Sequence, residues 1–298
     1  MILMKLRVLP LLMAATLALT SCQAVSAEPG KLLVVVGLYP DAYLAQAIGG
    51  DRVTVINLTR PGGEPHDLEL TARQIIAIAD SDLTIHHPGL QPALDAAIRQ
   101  TAASSVLAVP DAINPPNGGD DETGHNLDPH VWLDPVKMIS LAKAVEQRLS
   151  ELDPGNQAAY DAGLKDLQGE LEDIDQRYAA GLVDCRHREF ITTHAGFSHL
   201  AERYNLTQIA IAGISPDAEP SPGRLAEIQR IAVSAGLTTV FFETLASPEL
   251  ARTMAQDLGL TTDMLDPIEG ITDQSRADDY PGIMAANLTA LRQANGCA

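Results

Sequence analysis

Histidine is the residue type whose placement in this chain suggests chemistry. Three of the eight histidines, His66, His130 and His194, stand at the end of a strand-like run or in a stiff loop before a helix. A carboxylate, Asp266, ends the strand-like segment TDMLD and is followed by proline. Three imidazole nitrogens and one carboxylate oxygen form a ligand set that suits a first-row divalent cation such as zinc. The four side chains therefore predict a metal site, provided that the fold brings them together.

The segment NLDPHVWLDP, residues 126–135, gives one of these histidines a rigid setting. His130 lies between two Asp-Pro pairs, two residues before the only tryptophan, Trp132. Proline restricts the backbone, so less order has to be gained on binding, and Asp128 is near enough to orient the imidazole. Taken alone, the segment also fits a capped loop that enters a helix at Asp134-Pro135, with His130 incidental.

Short β-branched runs alternate with longer amphipathic stretches from residue 31 onward, which predicts βαβ units and parallel sheets. The predicted strands cover residues 32–37, 53–58, 83–87, 105–109, 190–194, 207–213, 239–243 and 262–266. The predicted helices cover residues 40–49, 71–80, 90–102, 135–150, 196–204, 222–235, 248–258 and 278–294. Ligands of such sheets gather beyond the carboxyl ends of the strands. The candidate ligands divide two per half, so we expect the site in the cleft between two α/β lobes.

One long helix is predicted between the halves, over residues 154–182, where apolar positions follow a period close to 3.6. It would be on the order of 40 Å long and would act as a stiff connector. The alternative is an ordinary surface helix of one larger domain. We predict a first lobe at 31–152, a connecting helix at 153–183 and a second lobe at 184–298.

The first 21 residues have the pattern of an export signal. Two basic residues precede an apolar run that is too short to span a membrane comfortably and that ends in Leu-Thr-Ser-Cys. A small-residue pair before cysteine fits a lipoprotein signal, in which Cys22 becomes the lipidated first residue. The alternative is a secretory signal cleaved nearby, for example after Ala24 or Ala27. Both interpretations predict export to the periplasm or cell surface, with residues 22–30 as a tether.

The charge of the chain narrows the possible partners. The formal net charge is −19, and the export signal contains two of the 20 basic residues and none of the acidic ones. A chain this acidic argues against binding of nucleic acid, whose phosphates require a basic surface.

The three cysteines predict one disulfide. If lipid occupies Cys22, an even pair, Cys185 and Cys297, remains in an oxidising compartment. We therefore expect a Cys185–Cys297 bond that ties the C-terminus to the start of the second half. The absence of a CxxC motif makes a metal role for these cysteines less favoured.

Several segments together resemble the metal-binding solute-binding proteins of zinc and manganese ABC importers. In order, over about residues 31–295, they are PHDLELT, DPHVWLDP, THAGFSHLAERYNL, VFFETLASPELA and MLDPIEG. The resemblance implies two parallel-sheet α/β lobes joined by one long rigid helix, with one divalent metal ion in the cleft between them. It also implies a membrane ABC transporter permease as partner, and we expect a monomer.

The resemblance also implies roles for individual residues. By motif position, the metal ligands would be His66, His130, His194 and Asp266. Manganese-type members usually carry a glutamate at the third position and zinc-type members a histidine, in line with the preferences of the two ions. His194 therefore favours Zn²⁺, with Mn²⁺ as the alternative. Glu243 is expected to line the cleft, and Trp132 to pack beside His130.

Two features depart from the family pattern. Many zinc-type members have a long histidine-rich loop before the DPHVW segment, whereas residues 114–126 here are short and acidic with only His125. A strong metal-scavenging role for this loop is therefore not expected. His199 stands where relatives commonly carry an aromatic side chain, and we interpret it as a core or surface histidine, with a role beside the ligands as the alternative.

The predicted function is capture of Zn²⁺ outside the cytoplasm and its delivery to the permease. The alternatives are import of manganese or iron on the same fold, a zinc hydrolase or lyase, and a surface adhesin in which the metal is structural. A site with four protein ligands is closed, which suits holding and handing over an ion rather than catalysis. We therefore expect a binding protein and not an enzyme.

Overall fold

The computed structural model describes residues 28–109, 113, 128–214, 216, 220–245 and 248–298. These residues contain two four-stranded parallel sheets. The strands are β1 (Leu32–Val36), β2 (Val53–Asn57), β3 (Leu83–His86), β4 (Val106–Ala108), β5 (Glu189–Thr192), β6 (Thr207–Ala210), β7 (Thr239–Phe242) and β8 (Thr261–Met264). The predicted α/β class with two parallel-sheet lobes is confirmed.

Helices follow the strands in the expected alternation. They are α1 (Tyr39–Gly49), α2 (Ala72–Asp80), α3 (Pro92–Thr101), α4 (Pro135–Leu152), α5 (Gln157–Gly181), α6 (Ser198–Arg203), α7 (Pro222–Ala235), α8 (Pro248–Leu258) and α9 (Tyr280–Asn295). Short 3-10 turns lie at Gly50–Arg52, Val131–Leu133 and Pro154–Asn156. Most helix bounds differ from the predicted ones by one or two residues.

The two sheets have the same strand order, β2-β1-β3-β4 and β6-β5-β7-β8. The central strand β1, LLVVV, is apolar throughout because helices cover both faces of its sheet. Along β1, Leu33 and Val35 pack in one apolar cluster, whereas Val34 and Val36 pack in another. The described strands end one to three residues before the predicted ends, because the last residues leave the sheet to enter the loops at its carboxyl edge.

The connecting helix α5 packs between the lobes rather than on the surface of one of them. Its buried positions, Tyr160, Leu167, Leu171, Ile174 and Tyr178, belong to a core that also contains residues of both sheets. A Cβ at Gly163 would lie 2.6 Å from the carbonyl oxygen of Ile48, so the glycine lets α1 approach closely. The hydroxyl of Tyr178 donates to the carbonyl oxygen of Met284 at 2.8 Å, which fixes α5 to α9. One long helix thus links the lobes, as predicted.

The predicted disulfide is present. Cys185 and Cys297 are joined, and the backbone on either side of them pairs, with Ala298 N–H donating to the carbonyl of Asp184 at 2.9 Å. The bond secures the end of α9 to the segment that enters the second sheet.

Some predictions concern residues outside the described ranges. These are the export signal, lipidation of Cys22, the first part of the tether and the acidic loop at 114–126. Among the described helices, none combines the length and apolarity that a membrane span requires.

Candidate metal centre

The carboxyl ends of the two sheets bring four side chains to one point. His66 lies in the loop between β2 and α2, and His130 just before α4. His194 follows β5 by two residues, and Glu269 follows β8 by five. One potential ligand atom from each of the four lies within 4.8 Å of all the others. The three predicted histidines therefore meet, together with a glutamate that the sequence did not single out.

The spacing of the four atoms fits a tetrahedral metal ion. Glu269 Oε1 lies 3.4 Å from Nε2 of His66, 3.0 Å from Nε2 of His130 and 3.5 Å from Nε2 of His194. Nε2 of His130 and Nε2 of His194 are 3.3 Å apart. Four ligands at about 2.0–2.1 Å from a central ion would be separated by roughly 3.3–3.4 Å. These four distances are close to the edges of such a tetrahedron.

Carboxylates hold two of the imidazoles from behind. Asp128 Oδ1 lies 2.6 Å from Nδ1 of His130 and also accepts that residue's backbone N–H at 3.0 Å. Glu243 Oε2 bonds Nδ1 of His194, and its other oxygen accepts the His194 N–H at 3.1 Å. A metal-bound histidine normally donates its second ring nitrogen to such a partner, which fixes the tautomer and directs Nε2 at the ion. Both rings are therefore set up for coordination through Nε2.

The histidines and carboxylates of the centre shift one another's pKa values. Burial would lower the pKa of His194, but the carboxylates of Glu243 and Glu269 outweigh it and raise that pKa to about 10. Asp128 and Glu269 likewise raise the pKa of His130 against the effect of burial. Burial would raise the pKa of Glu269, yet the nearby imidazoles of His130, His194 and His66 hold it well below its usual value. A cation that enters at neutral pH therefore meets an ionised carboxylate and has to displace a proton from His194.

The third imidazole, that of His66, has a ring nitrogen that a bound cation would pair. The backbone N–H of His66 donates to Glu64 Oε1 at 3.1 Å, and the carbonyl of Pro65 accepts from the buried side-chain amide of Gln91 at 3.2 Å. Nε2 of His66 is buried, yet it has no hydrogen-bond partner in the described part of the chain. Buried polar atoms are normally paired. An ion among the four ligand atoms would supply the missing partner, so the residues fit a metal.

Asp266 is not among the four converging side chains, and both of its carboxylate oxygens form hydrogen bonds to residues close to it in the sequence. Its Oδ1 accepts the N–H of Ile268 at 2.8 Å, and its Oδ2 accepts the hydroxyl of Ser275 at 2.9 Å. Ile268 has a φ of 58°, a left-handed conformation that is rare for a β-branched residue. This turn carries Glu269 into the cleft, three residues beyond the predicted carboxylate. The Asp-Pro pair, a common turn opening, is the sequence signal that would have favoured a turn-forming role for Asp266.

Trp132 packs against His130 and connects the two lobes through hydrogen bonds. Its ring centroid lies 5.1 Å from that of His130, and the side chain is fully buried. Its Nε1–H donates to the carbonyl oxygen of Pro267 at 2.6 Å, and its own carbonyl accepts the Tyr280 hydroxyl at 2.6 Å. The turn that carries His130 is thereby bonded to the turn that carries Glu269.

Two α/β lobes, a long connecting helix and four side chains between the lobes that could hold a metal ion are the features of a two-lobed metal-binding protein. Residues 34–294 match the family described as zinc-uptake complex component A, periplasmic (ZnuA), and the chain belongs to that family. The resemblance to the binding proteins of zinc importers is thus confirmed, and the family is one of uptake components rather than of enzymes.

Relatives named for zinc binding and zinc uptake are similar over nearly the whole chain. The zinc-binding lipoprotein AdcA of Streptococcus pneumoniae (strain ATCC BAA-255 / R6) is 33% identical over 297 residues, which cover 93% of this chain and 58% of AdcA. The chain thus spans little more than half the length of that relative. The high-affinity zinc uptake system protein ZnuA of Bacillus subtilis (strain 168) is 33% identical over 278 residues, covering 88% of this chain and 87% of that protein.

A solved structure supports the same fold. The Zn(II)-bound ZnuA-like domain of Streptococcus pneumoniae AdcA superimposes with a TM-score of 0.76 at 31% sequence identity. The match covers 89% of this chain and 99% of that domain.

Proposed function

We propose that this chain captures Zn²⁺ outside the cytoplasm and delivers it to the membrane permease of an ABC transporter. The observation that carries the proposal is the convergence of three imidazole nitrogens and Glu269 Oε1 near the corners of a tetrahedron, with Oε1 3.0–3.5 Å from all three nitrogens and Nε2 of His130 3.3 Å from Nε2 of His194. The family and the names of the relatives, a zinc-binding lipoprotein and a zinc uptake protein, support it.

The ligands we propose are His66, His130, His194 and Glu269, with Glu269 in place of Asp266. Imidazole nitrogen suits zinc, whereas oxygen donors suit manganese. Three of the four donors are imidazoles, which favours zinc over manganese. All four positions are protein atoms, so no open position remains for a catalytic water, and the site suits holding an ion.

The location and form of the protein follow from the same proposal. An export signal over residues 1–21 and lipidation of Cys22 would place the chain on the outer side of a membrane, close to its permease. The lobe boundaries at 31–152 and 184–298, with the connector at 153–183, and the monomeric state belong to this proposal as well.

Metal competition on the purified chain tests the proposal. The chain is stripped with a chelator, reloaded with Zn²⁺ and Mn²⁺ together, and its metal content is measured. We expect one equivalent of zinc that excess manganese does not displace. Comparable retention of manganese would contradict zinc selectivity, and the absence of retained metal would contradict convergence of the four ligands.

A further inference from the structure

The short helix α6 belongs to the second lobe, but it bonds to the turn that carries His130 in the first lobe. The hydroxyl of Ser198 donates to Asp128 Oδ2, and Nε2 of His199 lies 2.9 Å from the carbonyl oxygen of Asp128. Asp128 Oδ1 faces Nδ1 of His130 at 2.6 Å. Consecutive residues of one lobe therefore hold both the side chain and the backbone of the aspartate that orients a ligand of the other lobe.

The neighbours of His199 define its hydrogen bonds. The side-chain nitrogen of Lys137, on α4, faces Nδ1 of His199. An ammonium group can only donate and a carbonyl oxygen can only accept. Nδ1 therefore accepts from Lys137, and Nε2–H donates to the Asp128 carbonyl. An apolar side chain at position 199 would remove both bonds, whereas a glutamine amide could replace them.

Helix α6 is itself firmly placed, so its bonds to Asp128 can transmit position. Nε and Nη2 of Arg203 bond the two carboxylate oxygens of Asp175, on α5, at 2.6 and 2.7 Å. Nε of Arg203 also lies 3.4 Å from Oδ1 of Asp134, which caps the start of α4. One end of α6 is thus fixed to the connecting helix and the other to the turn at Asp128.

We propose that Ser198 and His199 are positioning residues for zinc binding, which act through Asp128 to hold Nε2 of His130 at the metal centre. The inference rests on the proposed zinc function. The bonds of Ser198 and His199 to Asp128 join the lobes at the turn that carries His130. Separation of the lobes would therefore also displace His130. Loss of either bond therefore speeds the release of zinc.

The test is the rate of zinc release, measured by stopped flow with a chromophoric chelator on the full chain. The variants are Ser198→Ala, His199→Leu and His199→Gln, and the matched control is His187→Leu, a histidine beside the C-terminal segment. We expect release about tenfold faster in Ser198→Ala and His199→Leu, at the lower end of effects seen for groups behind metal ligands. His199→Gln and the control should remain close to the wild type.

A spectroscopic readout separates positioning from a general loss of stability. The visible absorption of Co²⁺ bound in place of Zn²⁺ reports the geometry of its ligands. It should change in Ser198→Ala and His199→Leu and should be restored in His199→Gln. A failure of His199→Gln to restore the rate would assign the effect to packing of the ring and would overturn the inference.

Wild-type rates and spectra in both Ser198→Ala and His199→Leu would also overturn it. If His199→Leu does not fold, Ser198→Ala decides, because that substitution removes a single hydroxyl. A wild-type chain that retains no zinc would instead contradict the proposed function, so the two failures are distinct.

Discussion

Each lobe has an Asp-Pro turn that positions a candidate metal ligand, but the two turns place that ligand at different residues. In Asp128-Pro129-His130 and in Asp266-Pro267-Ile268, the aspartate Oδ1 accepts the N–H two residues on, at 3.0 and 2.8 Å. In the first turn that residue is the candidate ligand, and the same oxygen also meets its imidazole. In the second turn it is a buried isoleucine in a left-handed conformation, and the candidate ligand, Glu269, comes one residue later.

The difference shows that two Asp-Pro turns with the same backbone hydrogen bond can place the candidate ligand at the third or at the fourth residue of the turn. A carboxylate that accepts a backbone N–H two residues ahead is a local hydrogen bond that sequence can suggest. Whether the next side chain then points inward depends on the backbone φ, and a positive φ at Ile268 is not a local preference of isoleucine. The surrounding packing has to impose it.

The largest expected effect separates the two acids of the second turn. Glu269→Ala should lower zinc affinity by more than ~100-fold, beyond the usual range for groups behind a ligand. The affinity can be measured by competition with a chelator of known strength. Glu172→Ala, at an exposed position on the connecting helix, is the control.

A larger loss of zinc affinity in Asp266→Ala than in Glu269→Ala would contradict this assignment of roles. If Glu269→Ala kept wild-type affinity while Asp266→Ala lost it, the ligand assignment made from the sequence would stand and the turn would have to open on binding.

A smaller effect is expected from the aspartate of the first turn. Asp128→Asn keeps an oxygen for the backbone N–H but loses the charge behind His130, so zinc affinity should fall by roughly 10–100-fold. Titration calorimetry with a competing chelator gives the value. An unchanged affinity would mean that the Asp128 carboxylate does not support the ligand.

The pH dependence of binding tests the charges of the centre. Since the pKa of His194 is raised to about 10, that ring binds a proton near pH 7 that zinc has to displace, and the raised pKa of His130 acts in the same direction. Affinity should therefore rise with pH between 6 and 8, about tenfold per unit for each proton released. Glu269, whose pKa is lowered, should release none.

Calorimetry in buffers of different ionisation enthalpy counts these protons. Glu243→Gln removes an anion that raises the pKa of His194, so the variant should release fewer protons at pH 7. The same proton count in the variant and the wild type would contradict the charge coupling described for His194.

The smallest effect on zinc concerns Asp266. Asp266→Ala removes the buried acceptor for two donors, and we expect it to lower the free energy of unfolding of the metal-free chain by about 1–3 kcal/mol. Asp266→Asn, which keeps one acceptor oxygen, should cost less. Denaturant unfolding measures both, and zinc affinity should change by less than ~10-fold, because the residue only holds the turn. A large loss of affinity at unchanged stability would contradict that role.

Much of the fold could be predicted because its signals are local. Apolar β-branched runs and amphipathic stretches of ordinary length locate the strands and helices, and the alternation of the two implies parallel sheets. The same reasoning placed His66, His130 and His194, since each follows a strand or a stiff turn at the carboxyl edge of a sheet. The disulfide followed from the number of cysteines and the export signal.

The rest of the site depends on contacts between distant residues. The candidate ligand Glu269 was not singled out, because two acids share one motif and the left-handed conformation at Ile268, which places Glu269 in the cleft, is not evident from the sequence. The hydrogen bonds of His199 could not be predicted, because its partners, Asp128 and Lys137, lie more than 60 residues away along the chain. No periodicity or spacing brings these groups together, whereas packing of the lobes does.

The most direct test of the account is a crystal structure of the zinc-loaded chain with anomalous diffraction recorded at the zinc edge. We expect one peak about 2.0–2.2 Å from Nε2 of His66, His130 and His194 and from a carboxylate oxygen of Glu269. Asp266 should still bond the N–H of Ile268. A peak coordinated by Asp266, or one that lies away from these four side chains, would contradict it.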